Sequence, residues 1–371
     1  MIFFLPYGIG DVLMAIPAIK RLLKIRGYDG LTVVVASLPH QKILHTLIDD
    51  RLSIFLREDG KKFSQLRLFI SMWLSPAKII VAPLASNSWF TKVFMLLMFR
   101  RVYVPSSFIS KSLFFFRRIP LLLKNFEGHQ VDFYIQFLEP IDRQIDKKPV
   151  AYSELALYSR FDGSSSNNKL YRIVLGISCG EAERHKIPSP FKFAQLINNL
   201  SKRVSVQVLL IGSDADNSLI NTFCNALDKN IFVQKLISLP IDKLALEIAN
   251  CDLGISGTTG QGHMMSLTQI PMLIFAGVTN PRESGPFVER AAILRHKYIC
   301  GPCYQVEFKW GCGKVQCMES IDIDEGSKLA YRLLTEKNFG ENWRTEEGKK
   351  QTIPVHVIKE IHTLPQDRWI L

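Results

Sequence analysis

Residues 2–23, IFFLPYGIGDVLMAIPAIKRLL, decide how the rest of the chain is read. Ile2 to Leu5 is a short continuous apolar run, the pattern of a strand buried on both faces. Tyr7-Gly8-Ile9-Gly10-Asp11 is a tight turn, in which two glycines let the backbone reverse and let a ligand approach. Val12, Ile16, Ile19 and Leu23 then recur near the helical period. Further along, Leu31 to Ala36 is a second buried-type strand, and Ile54 to Leu56 and Lys78 to Val81 are two more, with helical patterns between them. Alternation of this kind implies a parallel sheet covered by helices.

The chain has 371 residues, more than one hydrophobic core usually supports. Asp162 to Lys169, DGSSSNNK, is polar, small and without periodicity, and reads as a linker. A second alternating set follows it: strands at Arg172 to Ser178, Val204 to Ile211, Leu253 to Ser256 and Pro271 to Phe275, with helices at Phe191 to Leu200 and Ile241 to Asn250. The expected fold is α/β with two Rossmann-like domains, each built on a parallel sheet, over 1–161 and 170–330. An extension over 331–371 is expected to be helical and to pack back on the first domain. Active sites of such chains lie at the carboxyl ends of the strands, in the cleft between the halves.

Hydrophobic residues make up 47% of the chain and charged residues 22%, a globular composition rather than a disordered one. The formal charge of +12 suggests an anionic partner, and composition alone leaves nucleic acid, an acidic lipid surface and a phosphorylated substrate open. No stretch is apolar enough to span a bilayer. The most apolar, Trp89 to Phe99, contains Lys92 and runs into Arg100 and Arg101. The N-terminus lacks a basic leader and is interrupted by Pro6, Gly8, Gly10 and Asp11, so a cytoplasmic protein with mostly reduced thiols is expected. Between Thr91 and Phe126, basic residues mix with Phe108, Phe114, Phe115 and Phe116. That suits docking on an anionic lipid surface, and equally suits core elements with basic ends.

Several loops after strand ends hold residues that can do chemistry. Asp11 opens a helix, where unpaired N–H groups and the helix dipole keep a carboxylate ionised and able to accept a proton; a plain cap is the simpler reading. A dinucleotide fingerprint is incomplete, since position 13 is Leu. Lys186 lies in a loop between a strand and a helix, where it can neutralise phosphate or be a solvated surface lysine. Ser256 to His263, SGTTGQGH, joins a buried strand to a helix through small and hydroxyl residues suited to phosphate or sugar oxygens. Gly212-Ser213-Asp214-Ala215-Asp216 can hold a ribose, and Gly277 to Pro286 closes the next strand. Cys300, Cys303, Cys312 and Cys317 are close enough in sequence to hold zinc or to form a reduced loop.

Taken in order, these motifs resemble the heptosyltransferase family, glycosyltransferase family 9 of the GT-B type, from Ile2 to about Ile321. The residues that carry the resemblance are Ile9-Gly10-Asp11-Val12 with Pro17-Ala18, and Lys186 ahead of Phe193-Ala194-Gln195-Leu196. They continue with Leu209-Leu210-Ile211-Gly212, Asp252-Leu253 with Thr259-Gly260 and His263, and Cys300-Gly301-Pro302-Cys303. The resemblance implies an inverting enzyme of lipopolysaccharide biosynthesis that moves a sugar, heptose by default, from a nucleotide-sugar such as ADP-heptose to a lipopolysaccharide-core acceptor. It implies no metal and no further cofactor, and a protein peripheral to the inner face of the inner membrane that binds no nucleic acid.

Residue by residue, Asp11 matches the general base, and Lys186 lies at or beside the cation near the donor phosphates. Gly212 and Asp216 fall in the nucleotide loop, with Asp216 at the ribose. Thr258, Thr259, Gly260 and His263 match the loop that holds the donor diphosphate and sugar, and Gly10, Arg100 and Arg101 are assigned to the acceptor. Asp214 and Asp216 spell Asp-x-Asp, a metal pattern elsewhere, but their place after Gly212 marks them as nucleotide-loop residues. The sequence departs from the family at two points. Thr258-Thr259-Gly260 replaces Asp-Thr-Gly, which leaves open a different nucleotide-sugar and an O-antigen or capsule acceptor. Ile187 precedes Pro188 where the family has Trp, so that His185 competes with Lys186 for the lysine's place. A catalytically silent nucleotide-sugar or glycolipid binder is the rival of another class, and retention of Asp11 speaks against it.

Overall fold

The computed structural model describes residues 1–5, 7–57, 62–83, 101–105, 118–121, 128–157, 169–295 and 316–343. The chain divides into two compact units, Met1–Leu157 and Tyr158–Leu371.

In the first unit, β1 (Ile2–Leu5), α1 (Ile9–Arg26), β2 (Thr32–Val35), α2 (Leu38–Leu47), β3 (Ser53–Leu56), α3 (Lys62–Leu74) and β4 (Ile79–Val81) alternate as the hydrophobic pattern predicts. Among the described residues, β5 (Arg101–Pro105), β6 (Arg118–Leu121) and α4 (Gln130–Leu138) follow. The sheet order is β3-β2-β1-β4-β5-β6, and each of its pairings is parallel. β1 is fully buried because helices cover both faces of a parallel sheet. Beyond α4 the chain is tied back to α1. Arg21 makes a two-pronged bond to Glu154 at 2.7 and 3.2 Å and donates to the carbonyls of Asp146 and Lys148, and Arg26 pairs with Asp142 at 2.7 Å.

The second unit repeats the plan. β7 (Tyr171–Gly176) leads through a 3₁₀ turn, Glu181–Lys186, to α5 (Pro190–Ser201) and β8 (Val206–Gly212). A second 3₁₀ turn, Asp214–Asp216, precedes α6 (Asn217–Ala226), β9 (Phe232–Ile237) and α7 (Ile241–Ala249). Then come β10 (Leu253–Gly257), α8 (Gly260–Ser266), β11 (Met272–Phe275), α9 (Pro281–Ser284) and β12 (Ala291–Leu294), and finally α10 (Gln316–Glu319) and α11 (Ile323–Thr335). The order β12-β11-β10-β7-β8-β9, read from its other edge, is the same 3-2-1-4-5-6 winding as in the first unit. Alternate residues of each strand fill two separate cores. Ile173, Leu175, Val208, Leu210, Phe193 and Phe275 lie on one face, and Val174, Leu209, Ile211, Ile248, Met265 and Ile274 on the other.

The described part of the expected C-terminal extension, residues 331–343, packs within the second unit. α11 lies against α5 and β12. Gly340 accepts from Ala291 N, Arg290 is bridged to Glu341, and Trp343 is fully buried with its indole N–H on the Val288 carbonyl at 2.9 Å. Burial of Trp343 beside Ile293 in the second unit's own core holds this segment there. Only the last turn of α11 within 331–343 is helical, and 344–371 lie outside the described residues.

Most of the basic and aromatic segment 91–126 also lies outside them. Its described parts are the backbones of β5 and β6. Among the described residues, no helix is long and apolar enough to cross a membrane.

Candidate active site

In the first unit the chain leaves β1 through Tyr7, whose N–H returns to the Leu5 carbonyl at 2.9 Å, and enters α1 at Gly8. Gly8 holds the N-cap position, so Asp11 is not the cap; it stands in the first helical turn, where the dipole favours its negative charge. One carboxylate oxygen, Oδ1, accepts a hydrogen bond from Gln130 Nε2 at 3.1 Å. The same amide donates to the Tyr134 hydroxyl at 3.0 Å, and that hydroxyl lies 3.4 Å from the backbone carbonyl of Asp11. Tyr134 is fully buried, and its phenol is pushed well above its ordinary pKa, first by burial and next by the charge of Asp11. It therefore stays a neutral hydroxyl. Gln130 and Tyr134 come from α4, more than a hundred residues beyond Asp11, and no motif in the sequence marked them. Gly10 lies beside Asp11 in the same turn. Arg100 lies outside the described residues, and Arg101 is described only as the first backbone position of β5.

In the second unit the loop after β10 and the start of α8 gather four of the sequence candidates. Thr259 is the N-cap of α8, its hydroxyl accepting from Gly262 N at 3.4 Å, and it is buried. Thr258, at the family's carboxylate position, is also buried, and its hydroxyl meets that of Thr279, from the loop after β11, at 2.5 Å. Gly260 begins the helix. Gln261 was not singled out from the sequence. Its amide donates to Ser178 Oγ at 2.7 Å and to the Ile211 carbonyl at 3.2 Å, and its oxygen accepts from Ser178 N at 3.1 Å. One side chain thus ties the ends of β7 and β8 to the loop after β10.

Lys186 ends the first 3₁₀ turn, is 8% exposed, and forms an ion pair with Glu183. Gly257 brings the end of β10 against it: a Cβ there would sit 2.5 Å from the Lys186 carbonyl oxygen and 2.6 Å from Ile187 Cγ2. His263 is buried, and its pKa is lowered to about 3, first by burial and next by the nearby charge of Lys186, against a backbone hydrogen bond at Ser284. The competing His185 is half-buried, with its pKa also lowered by burial and by Lys186. Lys186 is thus the charge that the structure sets beside His263.

Asp216 closes the 3₁₀ turn that follows β8. Its Oδ2 accepts from the backbone N–H and the hydroxyl of Ser213, both at 2.8 Å, and lies close to Gly212, where a Cβ would sit 3.3 Å away. Asp214 instead accepts from Ser238 at 3.1 Å. The two carboxylates of Asp-x-Asp thus have different hydroxyl partners. Among the described residues, no three His, Cys, Asp or Glu side chains are grouped to hold a metal. Cys300, Cys303 and Cys312 lie outside the described residues, and Cys317 is buried in the second unit's core.

The chemistry this permits is specific. The first unit offers a carboxylate at a helix start with an amide donor on one oxygen. The second offers a lysine, a neutral imidazole and a hydroxyl-rich turn at the carboxyl ends of its central strands, where doubly wound sheets bind nucleotides.

No family model matches the chain. It is 24% identical over 347 residues to lipooligosaccharide heptosyltransferase 2 of Campylobacter jejuni, a match that covers 89% of this chain and 97% of that protein. Its fold is similar to that of a glycosyltransferase family 9 protein from Veillonella parvula (TM-score 0.62, 16% identity, 90% of this chain and 97% of the other). It is also similar to ADP-heptose lipopolysaccharide heptosyltransferase II of E. coli (TM-score 0.57, 16% identity, 91% and 99%). These two structures establish the GT-B architecture of paired parallel sheets. Sequence likeness along nearly the whole chain and this shared fold together support a glycosyltransferase of the heptosyltransferase family.

Proposed function

We propose that this chain transfers heptose from ADP-heptose to an anionic, lipopolysaccharide-core acceptor with inversion at the anomeric carbon. The observation that carries the reading is Asp11, set in the first turn of α1 with Gln130 on one of its oxygens. Asp11 takes the proton of the acceptor hydroxyl as that oxygen bonds to the anomeric carbon. The bond from that carbon to the diphosphate breaks, and the electron pair leaves with ADP. Lys186 meets the departing charge, and the Thr258–His263 turn holds the diphosphate and sugar. Asp216 serves the ribose. His263 stays neutral there and exchanges hydrogen bonds rather than adding a second cation. Gly10, Arg100 and Arg101 serve the acceptor. The formal charge of +12 supports an acidic glycolipid surface as the place of action, with the protein peripheral to the inner membrane.

A different nucleotide-sugar is the second reading. It is favoured by Thr258, which replaces a carboxylate and bonds with Thr279.

The test is turnover of ADP-heptose on truncated lipopolysaccharide by the wild-type protein and by Asp11→Ala. The variant is expected to lose roughly 10²–10⁴-fold in kcat with ADP affinity unchanged. Near-normal kcat in Asp11→Ala removes the base role. Faster transfer from another nucleotide-sugar moves the assignment to the second reading.

A further inference from the structure

We propose that Gln130 is a positioning residue for the Asp11 carboxylate, holding Oδ1 so that the carboxylate meets the acceptor hydroxyl in one orientation and in its ionised form. The proposal rests on the reading of Asp11 as the base.

Gln130 is the first residue of α4, and Tyr134 follows one turn later on the same helix face. The Gln130 nitrogen carries two hydrogens, and both are used, toward Asp11 Oδ1 at 3.1 Å and toward the Tyr134 oxygen at 3.0 Å. The Tyr134 hydrogen is directed at the Asp11 backbone carbonyl, so its lone pairs face the amide. This closes a ring of bonds among three residues and fixes which end of the amide faces the carboxylate. A flipped amide would set Oε1 against an anion and against those lone pairs. Burial keeps Tyr134 protonated, so the ring does not collapse into a second anion.

Position 8 has no side chain, and a Cβ there would sit 3.7 Å from Asp11 Oδ2. A donor on the ionised carboxylate favours that form, and anchoring one oxygen removes rotation of the group that must receive the proton. Among the described residues, the titratable side chains near this end of α1 are Tyr134 on α4, His129 at its N-cap, Tyr7 after β1, and His40 on α2. The Tyr7 backbone bonds His40, and burial lowers the pKa of that ring.

The experiment compares Gln130→Leu, Gln130→Glu and Asp11→Asn with the wild type, using ADP-heptose and truncated lipopolysaccharide across a range of pH. Gln130→Leu is expected to lower kcat about tenfold, to leave KM for ADP-heptose unchanged, and to move the acid limb of the kcat profile up by about 1 pH unit. Gln130→Glu keeps the size, replaces the donor with a like charge, and is expected to move that limb further up. It carries the same readouts if the leucine variant folds poorly. If both Gln130 variants keep the wild-type kcat and acid limb while Asp11→Asn is inactive, the positioning role is overturned and the base reading stands. If Asp11→Asn turns over normally, the base reading fails, and the proposal with it.

Discussion

Acidification should destabilise the second unit through His263 in a way that can be calculated. The ring is 4% exposed, and its pKa is lowered from 6.5 to about 3, chiefly by burial and then by Lys186. In the unfolded chain the same ring takes a proton near pH 6.5. Between these values the unfolded state binds more protons than the folded one, so stability rises with pH across the window and falls as pH drops through it. At 1.36 kcal/mol per unit, the loss relative to pH 7 is about 2 kcal/mol at pH 5 and about 3 kcal/mol at pH 4. His263→Gln keeps a neutral hydrogen-bonding side chain and has no proton to gain. Urea unfolding of both proteins at pH 7, 6, 5 and 4 isolates the contribution of this ring, because every other titrating group is common to the two. Binding of ADP should then raise the pKa of the ring, since phosphate charge opposes that of Lys186. NMR titration of the imidazole with and without ADP reads this directly. Parallel stability curves, or a ring titrating near 6.5 in the free protein, would refute the burial argument. A pKa unmoved by ADP would take His263 out of the donor site.

Lys186→Ala should weaken ADP binding roughly tenfold to a hundredfold, the scale of one lost charge-assisted hydrogen bond, as read by calorimetry; unchanged affinity would place the diphosphate elsewhere. Thr258→Val and Thr279→Val should each cost about 1–3 kcal/mol of unfolding free energy, because each leaves a buried hydroxyl without its partner, and the double variant should cost little more than one of them. Strict additivity in urea unfolding would mean that the hydroxyls are not coupled.

The strands were legible in the sequence because a parallel sheet buried on both faces writes itself as continuous apolar runs. IFFL at Ile2–Leu5 and TVVV at Thr32–Val35 became β1 and β2 within a residue or two of their expected bounds. Asp11, Lys186 and the turn from Thr258 to His263 were visible because each follows a strand and sits in a short, distinctive string. Gln130 and Tyr134 were not, and Gln261 and Thr279, though inside quoted loops, had no role assigned. Their roles lie in bonds to residues between 21 and 123 positions away, and an isolated Gln or Thr carries no local signal. The packing of Trp343 was hidden for a related reason: one tryptophan after a helix does not say which core it fills.

Both sheets wind in the order 3-2-1-4-5-6, and the reversal of direction beside the first strand of each explains where the candidate residues fall. In the first sheet the reversal lies between β1 and β4, the place where such a winding sets a crevice at the strands' carboxyl ends, and Asp11 stands in the first helical turn beyond β1. At β7 and β10 the same reversal sets the Ser178 segment opposite the Thr258–Thr259 turn. Here the crevice is spanned by Gln261, and the close fit needs a residue without a side chain. A Cβ on Gly176 would lie 2.8 Å from Ser256 Oγ and 2.9 Å from Gln261 Cβ. The first crevice is thus left with a carboxylate steadied from α4. The second is braced from within by its own loop, with the Lys186 charge set near the His263 ring. A base must meet a hydroxyl at one angle, whereas a diphosphate is held by many weak contacts spread over a rigid turn. On the proposed reading, the same winding answers both demands, with the Asp11 carboxylate in one unit and the braced Thr258–His263 turn in the other.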